Sequence, residues 1–157
     1  MKERILDKID LKILELVQKD AKKSAAEIGE AVNLSQNACW RRINLLEQDG
    51  YIRSTVALLS AEKLGAGLTV FVSIKAAEHS EDWLKSFSTA VSRIKEVVEF
   101  YRMTGDVDYL LKLRVKDIVA YDLVYKRLIK QIRLTDVSSA FAMEELKYTT
   151  SVPIPAL

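Results

Sequence analysis

Apolar residues recur at helical spacing in the first third of the chain and at alternating spacing afterwards. Leu6, Ile9, Ile13, Leu16 and Val17 share one helical face, with Leu14 beside it. Ile28 and Val32 lie four apart, and Cys39, Ile43 and Leu46 repeat the period. This predicts three helices before residue 50. From Leu68 the period changes: LTVFVSIKA alternates and reads as a strand. Trp83, Phe87, Val91 and Ile94 form a helical stripe, followed by strands over Glu96–Thr104 and Val107–Val115. Ile118, Tyr121, Tyr125, Leu128 and Ile132 form a further helical stripe, and Thr135–Leu146 a last strand.

The punctuation agrees with the periods. Asp7 or Asp10 can cap the first helix, and Ser24 with Glu27 has the spacing of a reciprocal capping box. Asn33 can take a left-handed turn, Leu34 plugs it, Ser35 caps the next helix, and Gly50 stops it. Ser80 and Asp117 cap the two later helices. Gly105-Asp106 reads as a two-residue hairpin turn of type II′. Tyr51–Leu59 (YIRSTVALL) is β-branched and aromatic. It reads as a linker strand that pairs outside the helical unit, for example with its copy in a second subunit. Ser60–Gly67 breaks it.

The fold class is therefore α+β. A three-helix helix-turn-helix domain covers 1–50, a linker strand and hinge 51–67, and a β-α-β-β-α-β ferredoxin-like domain 68–147. An extended tail with Pro153 and Pro155 occupies 148–157.

Composition narrows the chemistry. With 49% hydrophobic and 29% charged residues the 157-residue chain is globular, and a net charge of +2 does not by itself argue for nucleic acid. One cysteine and one histidine exclude a disulfide framework and an ordinary Cys/His zinc site within one chain. No cofactor and no metal are expected. No secretory or membrane-spanning stretch is evident, so a cytoplasmic protein is expected.

The second helix of the turn carries the candidate chemistry. Opposite Cys39, Ile43 and Leu46 lie Gln36, Asn37, Trp40, Arg41 and Asn44, with Arg42 to one flank. Amide side chains can pair with a base edge through both donor and acceptor, and a guanidinium can fork onto guanine or grip phosphate. Ser35 and the helix N-terminus add N–H groups that favour phosphate. Alanine at Arg41 or Arg42 is expected to weaken DNA binding. The plainer alternative is a packing unit with a solvated outer face. Trp40 tilts the balance, as a large aromatic amid polar neighbours; it meets a thymine methyl or sugar, or packs on the first helix. Lys19, Lys22 and Lys23 read as a solvated helix end more readily than as phosphate contacts.

The chain resembles the Lrp/AsnC family, the leucine-responsive and asparagine-operon (feast/famine) transcription regulators, over nearly its whole length. The resemblance rests on LDKIDLKILELVQKDAK, AEIGEAVNLSQNACWRRINLLEQDGYI, ALLSAEKLG and TGDVDYLLKLRV. It implies double-stranded DNA bound through the second helix of the turn, homodimers joined by the linker strand and sheets, and assembly of dimers into octamers. It also implies a small effector, usually an amino acid, near the glycine-aspartate turn. The chain departs from the family at Asn33, where glycine is usual.

An amino acid needs an anion for its ammonium, which Asp106 and Asp108 can supply, and N–H donors for its carboxylate, available around Gly105. Thr104 adds a hydroxyl, and Val107 lies between the two aspartates. By resemblance Ser138, Ser139 and Ala140 line the other side. From spacing alone, a hairpin with two solvated aspartates is the plainer reading; the resemblance favours a site at Gly105, Asp106 and Asp108.

No catalytic residue is expected. An enzymatic alternative is a sirohaem decarboxylase-like protein of the same architecture, which would need pocket histidine, arginine or tyrosine. The single His79 reads better as a solvated loop residue. A third possibility, a sensing scaffold that has lost DNA binding, is opposed by the intact Gln36, Asn37 and Arg41 face.

Overall fold

Asp7 opens the first helix, α1 (Lys8–Lys19), accepting the Asp10 N–H at 2.8 Å while the Asp10 carboxylate reaches back to the Asp7 N–H. Of the two candidate caps, Asp7 is the cap and Asp10 closes the box. Ser24 and Glu27 repeat the arrangement at the start of α2 (Ala25–Ala31). Asn33 takes φ +56°. Around it the Leu34 N–H bonds the Gly29 carbonyl at 2.8 Å and the Asn33 N–H bonds the Glu30 carbonyl at 3.3 Å. These are the two bonds of a Schellman stop, with asparagine in glycine's usual place. The stop also fixes Gly29, since a Cβ there would lie 2.8 Å from the Leu34 carbonyl oxygen. Ser35 caps α3 (Gln36–Gln48), and Gly50 at φ +80° ends it.

The computed structural model describes residues 5–78, 80–131 and 134–155, which leaves His79 and Ile132 outside the described residues. The chain divides into two compact units: residues 1–57 with 147–157, and residues 58–146. In the first unit Ile13, Ile28, Val32, Cys39 and Leu46 form the core, ringed by Leu6, Ile9, Leu14, Leu16, Val17, Leu34, Ile43 and Ile52. The extended tail belongs to this unit. The Gln18 amide exchanges two hydrogen bonds with the Val152 backbone, donating to its carbonyl at 3.2 Å and accepting its N–H at 3.0 Å.

Tyr51–Leu59 departs from expectation. Within the chain it forms no strand, and Val56, Leu58 and Leu59 are exposed. A strand exists only as half of a pair, and among the described residues no partner strand lies beside this one. The breaker after it is a single helical turn stopped by Gly65 at φ +70°, with the Ala66 N–H on the Ala61 carbonyl at 2.8 Å.

The second unit is a four-stranded antiparallel sheet in the order β2-β3-β1-β4, formed by β1 (Leu68–Ala76), β2 (Val97–Arg102), β3 (Tyr109–Val115) and β4 (Leu134–Phe141). Helices α4 (Glu81–Ser92) and α5 (Ile118–Gln131) intervene in the β-α-β-β-α-β order. Val70, Val72 and Ile74 of β1 and Tyr109, Leu111, Leu113 and Val115 of β3 alternate inward to meet Phe87, Val91, Tyr121, Val124 and Leu128 of the helices. Both helices thus cover one face, as the alternation predicts.

Three details differ from the sequence reading. The stripe of α5 uses Val124 and leaves Ile118 66% exposed, because the helix carries apolar residues on several sides and its phase is ambiguous. The last strand stops at Phe141, where its pairing with β1 ends. The β2–β3 connection is wider than a two-residue turn: the Met103 N–H closes onto the Asp108 carbonyl at 2.8 Å, with residues 104–107 between them. Gly105 adopts φ +106° within that loop.

Ion pairs hold the edges of the sheet. On the face away from the helices, Glu99 accepts Lys112 at 2.9 Å and the Tyr101 hydroxyl at 2.7 Å, and these bonds hold its carboxyl below the usual range. Burial pushes the Glu96 carboxyl up, but the Arg127 guanidinium at 2.7 Å and a backbone N–H outweigh it, so it too lies low. A carboxylate depressed in the folded state adds stability above its unfolded pKa, and that stability is lost as pH falls through the folded value. Thermal unfolding followed by circular dichroism should therefore shift to lower temperature below about pH 4. Glu99→Gln should flatten the shift; an unchanged acid profile would contradict the assignment. Glu99 is partly exposed, so its share is under about 1 kcal/mol.

Candidate nucleic-acid and effector sites

Helix α3 presents two faces. Cys39 and Leu46 are fully buried and Ile43 packs against them. Burial pushes the Cys39 thiol up, which fits an inert core residue and not a reactive one. One-third of a turn or more away, Gln36, Asn37, Trp40 and Arg41 are exposed, Trp40 by 58%, and Asn44 is half-buried beside them. Ser35 is exposed, and its hydroxyl accepts the Ala38 N–H at 3.3 Å. The Arg41 Nε lies 3.5 Å from the Asn37 carbonyl, at the edge of hydrogen-bond range.

Arg42 stands apart from that face. Its guanidinium donates to Asp7 at 2.8 Å and to Asp10 at 2.8 Å, and Asp10 is only 1% exposed. Hydrogen bonding to the two carboxylates raises the Arg42 pKa further. The Asp10 N–H, and then Arg42, hold the Asp7 carboxyl low. Arg42 therefore ties α3 to the start of α1. The sequence carried half of this signal, in the Asp7–Asp10 spacing. The partner 32 residues further on could not be read.

In the second unit Thr104, Gly105 and Asp106 are exposed along the loop between β2 and β3, and Val107 and Asp108 are half-buried. Asp108 is engaged with β1: its Oδ2 accepts the Ala76 N–H at 2.8 Å and its own N–H donates to the Ile74 carbonyl at 3.0 Å. Ser139 is not brought to this loop within one chain. The register runs Ser139–Val72–Leu111–Phe100 across the sheet, three strand spacings or about 14 Å. The Ser139 hydroxyl is hydrogen-bonded to the Tyr121 hydroxyl. Ser138 and Ala140 alternate to the opposite side of β4 from Ser139.

Among the described residues no group of three or more His, Cys, Asp or Glu side chains is placed to hold a metal ion. Among those same residues no helix is long and apolar enough to cross a membrane. The histidine on which tetrapyrrole chemistry could rest, His79, lies outside them.

Comparison with known proteins matches both domains of the chain. The family model described as the Lrp/AsnC ligand binding domain matches residues 69–152, and a winged helix-turn-helix DNA-binding model matches residues 6–53. The chain is 55% identical over 152 residues to a glutamate uptake regulatory protein of Zymomonas mobilis, covering 97% of this chain and 93% of that one. A crystal structure of an AsnC family transcriptional regulator from Agrobacterium tumefaciens superposes with a TM-score of 0.91 at 55% identity, covering 94% of this chain and 97% of that one. A Neisseria meningitidis transcriptional regulator solved as a complex with L-methionine superposes with a TM-score of 0.89 at 35% identity, covering 95% of this chain and 97% of that one. With a ligand-domain model over more than half its length and relatives this similar end to end, the chain belongs to the Lrp/AsnC family of transcriptional regulators.

Proposed function

We propose that α3 enters the major groove of double-stranded DNA, with Gln36, Asn37 and Arg41 at base edges and Ser35, Trp40 and Asn44 against the sugar-phosphate backbone. The observation that carries this is the exposure of Gln36, Asn37, Trp40 and Arg41 together on one side of a capped helix whose other side is core. Arg42 is left out of the contact set because two carboxylates hold it. The chain acts in the cytoplasm as a homodimer, joined in part through the exposed Val56, Leu58 and Leu59 segment, with dimers able to assemble further. It performs no catalysis. Two recognition helices related by a dimer axis read half-sites spaced by whole turns of DNA.

An amino acid is the effector. The L-methionine complex of the Neisseria relative supports that class. Its carboxylate meets N–H groups around Gly105, its ammonium meets Asp106, and Thr104 and Val107 flank it. The effector changes DNA binding to the extent that it binds one domain arrangement better than another.

Arg41→Ala should weaken binding to a selected operator by about 10- to 100-fold, the loss of one good base contact. If Arg41 instead holds phosphate, binding to all sequences should weaken alike and the salt dependence should flatten. Fluorescence anisotropy on selected and random DNA at several salt concentrations separates the two. Unchanged affinity on both would contradict the role of Arg41.

A further inference from the structure

Three hydrogen bonds of Asp108 serve the fold. Its N–H donates to the Ile74 carbonyl at 3.0 Å, its carbonyl accepts the Met103 N–H at 2.8 Å, and its Oδ2 accepts the Ala76 N–H at 2.8 Å. The first carries the pairing of β1 with β3 past its last residue pair, Ile74 with Tyr109. The second closes the loop on itself. The third takes over where the backbone ladder stops. Ala76 is the last residue of β1, and the register with β4 shifts between Lys75 and Ala76. The Ala76 carbonyl in turn accepts the Thr135 hydroxyl at 3.2 Å. Both backbone groups at the end of β1 are thus satisfied by side chains from the two neighbouring strand ends.

The three Asp108 bonds all bear on residues 103–108, which carry the exposed Gly105 and Asp106. A backbone N–H needs an acceptor oxygen; it has no need of a negative charge. A bound ammonium, by contrast, draws on the charge itself.

We infer that Asp108 is a positioning residue of the effector site and not the counter-ion of the effector's ammonium. Its side chain pins the loop to the end of β1, so that the N–H groups around Gly105 and the Asp106 carboxylate keep one geometry. This deepens the proposed effector site and rests on that reading.

The test compares Asp108→Ala, Asp108→Asn and Asp106→Asn in the full-length protein, by amide hydrogen exchange and by calorimetric titration. The titrations use each of the twenty common amino acids, and the tightest binder of the parent chain is carried forward. Asparagine keeps an acceptor oxygen for the Ala76 N–H and removes the charge. Asp108→Ala should speed exchange at Ala76 and at residues 103–107 by about tenfold or more, with Val72 and Leu111 unchanged, and should weaken the amino acid by about tenfold. Asp108→Asn should restore exchange at Ala76, because its amide oxygen can still accept that N–H, and should keep more of the affinity than Asp108→Ala. Asp106→Asn should weaken the amino acid and leave exchange alone.

Two results overturn the inference. One is Asp108→Asn losing as much affinity as Asp106→Asn while its exchange matches the parent, which would make Asp108 a charge contact. The other is unchanged exchange in Asp108→Ala, which would mean the side chain pins nothing. If no amino acid binds the parent chain, the effector reading fails, and the exchange comparison still decides whether Asp108 fixes the loop.

Discussion

Replacing Arg42 with alanine should lower the unfolding free energy of the helix-turn-helix unit by about 3 kcal/mol, the scale of breaking a buried ion pair from one side. Asp10 is almost wholly buried and would lose the guanidinium that now lies 2.8 Å from its Oδ1. Asp7 would lose the same group from its Oδ2. The figure is set below the top of the range because the Arg42 side chain is 28% exposed and water can reach it. The neighbouring substitution Arg41→Ala, on the outer face, should change stability by no more than about 0.5 kcal/mol. Urea unfolding of the two variants side by side checks this. The account requires adjacent arginines to divide their effects, Arg42 on stability and Arg41 on DNA. A loss under about 1 kcal/mol in Arg42→Ala would show that the pair does not tie α1 to α3 as described.

Phe87→Ala should cost the second unit about 3 to 5 kcal/mol, the range for emptying a buried aromatic site. Phe87 is fully buried at the centre of an aromatic cluster: its ring lies 4.9 Å from that of Trp83, 5.0 Å from Tyr109 and 5.3 Å from Phe100. Two of these contacts are edge-to-face, a geometry that adds to simple burial. The cluster joins α4 to β2 and β3, the two strands that flank the proposed effector loop. For a unit of this size the midpoint should fall by roughly 15 to 30 °C. Phe87→Leu, which leaves a smaller void, should lose less than half as much. A fall of only a few degrees in Phe87→Ala would mean that the unit draws its stability from elsewhere.

What could be read from the sequence was local. Ser24, Ser35, Ser80 and Asp117 cap their helices because a cap needs only a side-chain oxygen two or three residues before its N–H. Alternation in LTVFVSIKA gave the β1 boundaries as observed, and Asn33 turns left-handed where the pattern breaks. What could not be read depends on partners distant in sequence. Nothing marks Arg42 as bound to Asp7 and Asp10 and Arg41 as exposed, since both are arginines one step apart on one helix. Asp108 looks like Asp106 in sequence, yet its carboxylate accepts the Ala76 N–H, a contact that leaves no trace in the residue pattern. Tyr51–Leu59 has strand composition and, among the described residues, no strand partner. The exposed face of α3 was therefore legible because helical periodicity fixes it, while the bonding of the β2–β3 loop was not.

In-vitro selection of bound DNA from a random pool, run on the parent chain and on Gln36→Ala, Asn37→Ala and Arg41→Ala, tests the reading role of α3 most directly. The account predicts a parent consensus with two-fold or repeated half-sites, and variants that each relax preference at one position per half-site while the rest of the consensus survives. Identical consensus sequences and affinities for all four proteins would contradict it, because the exposed face of α3 would then take no part in choosing DNA.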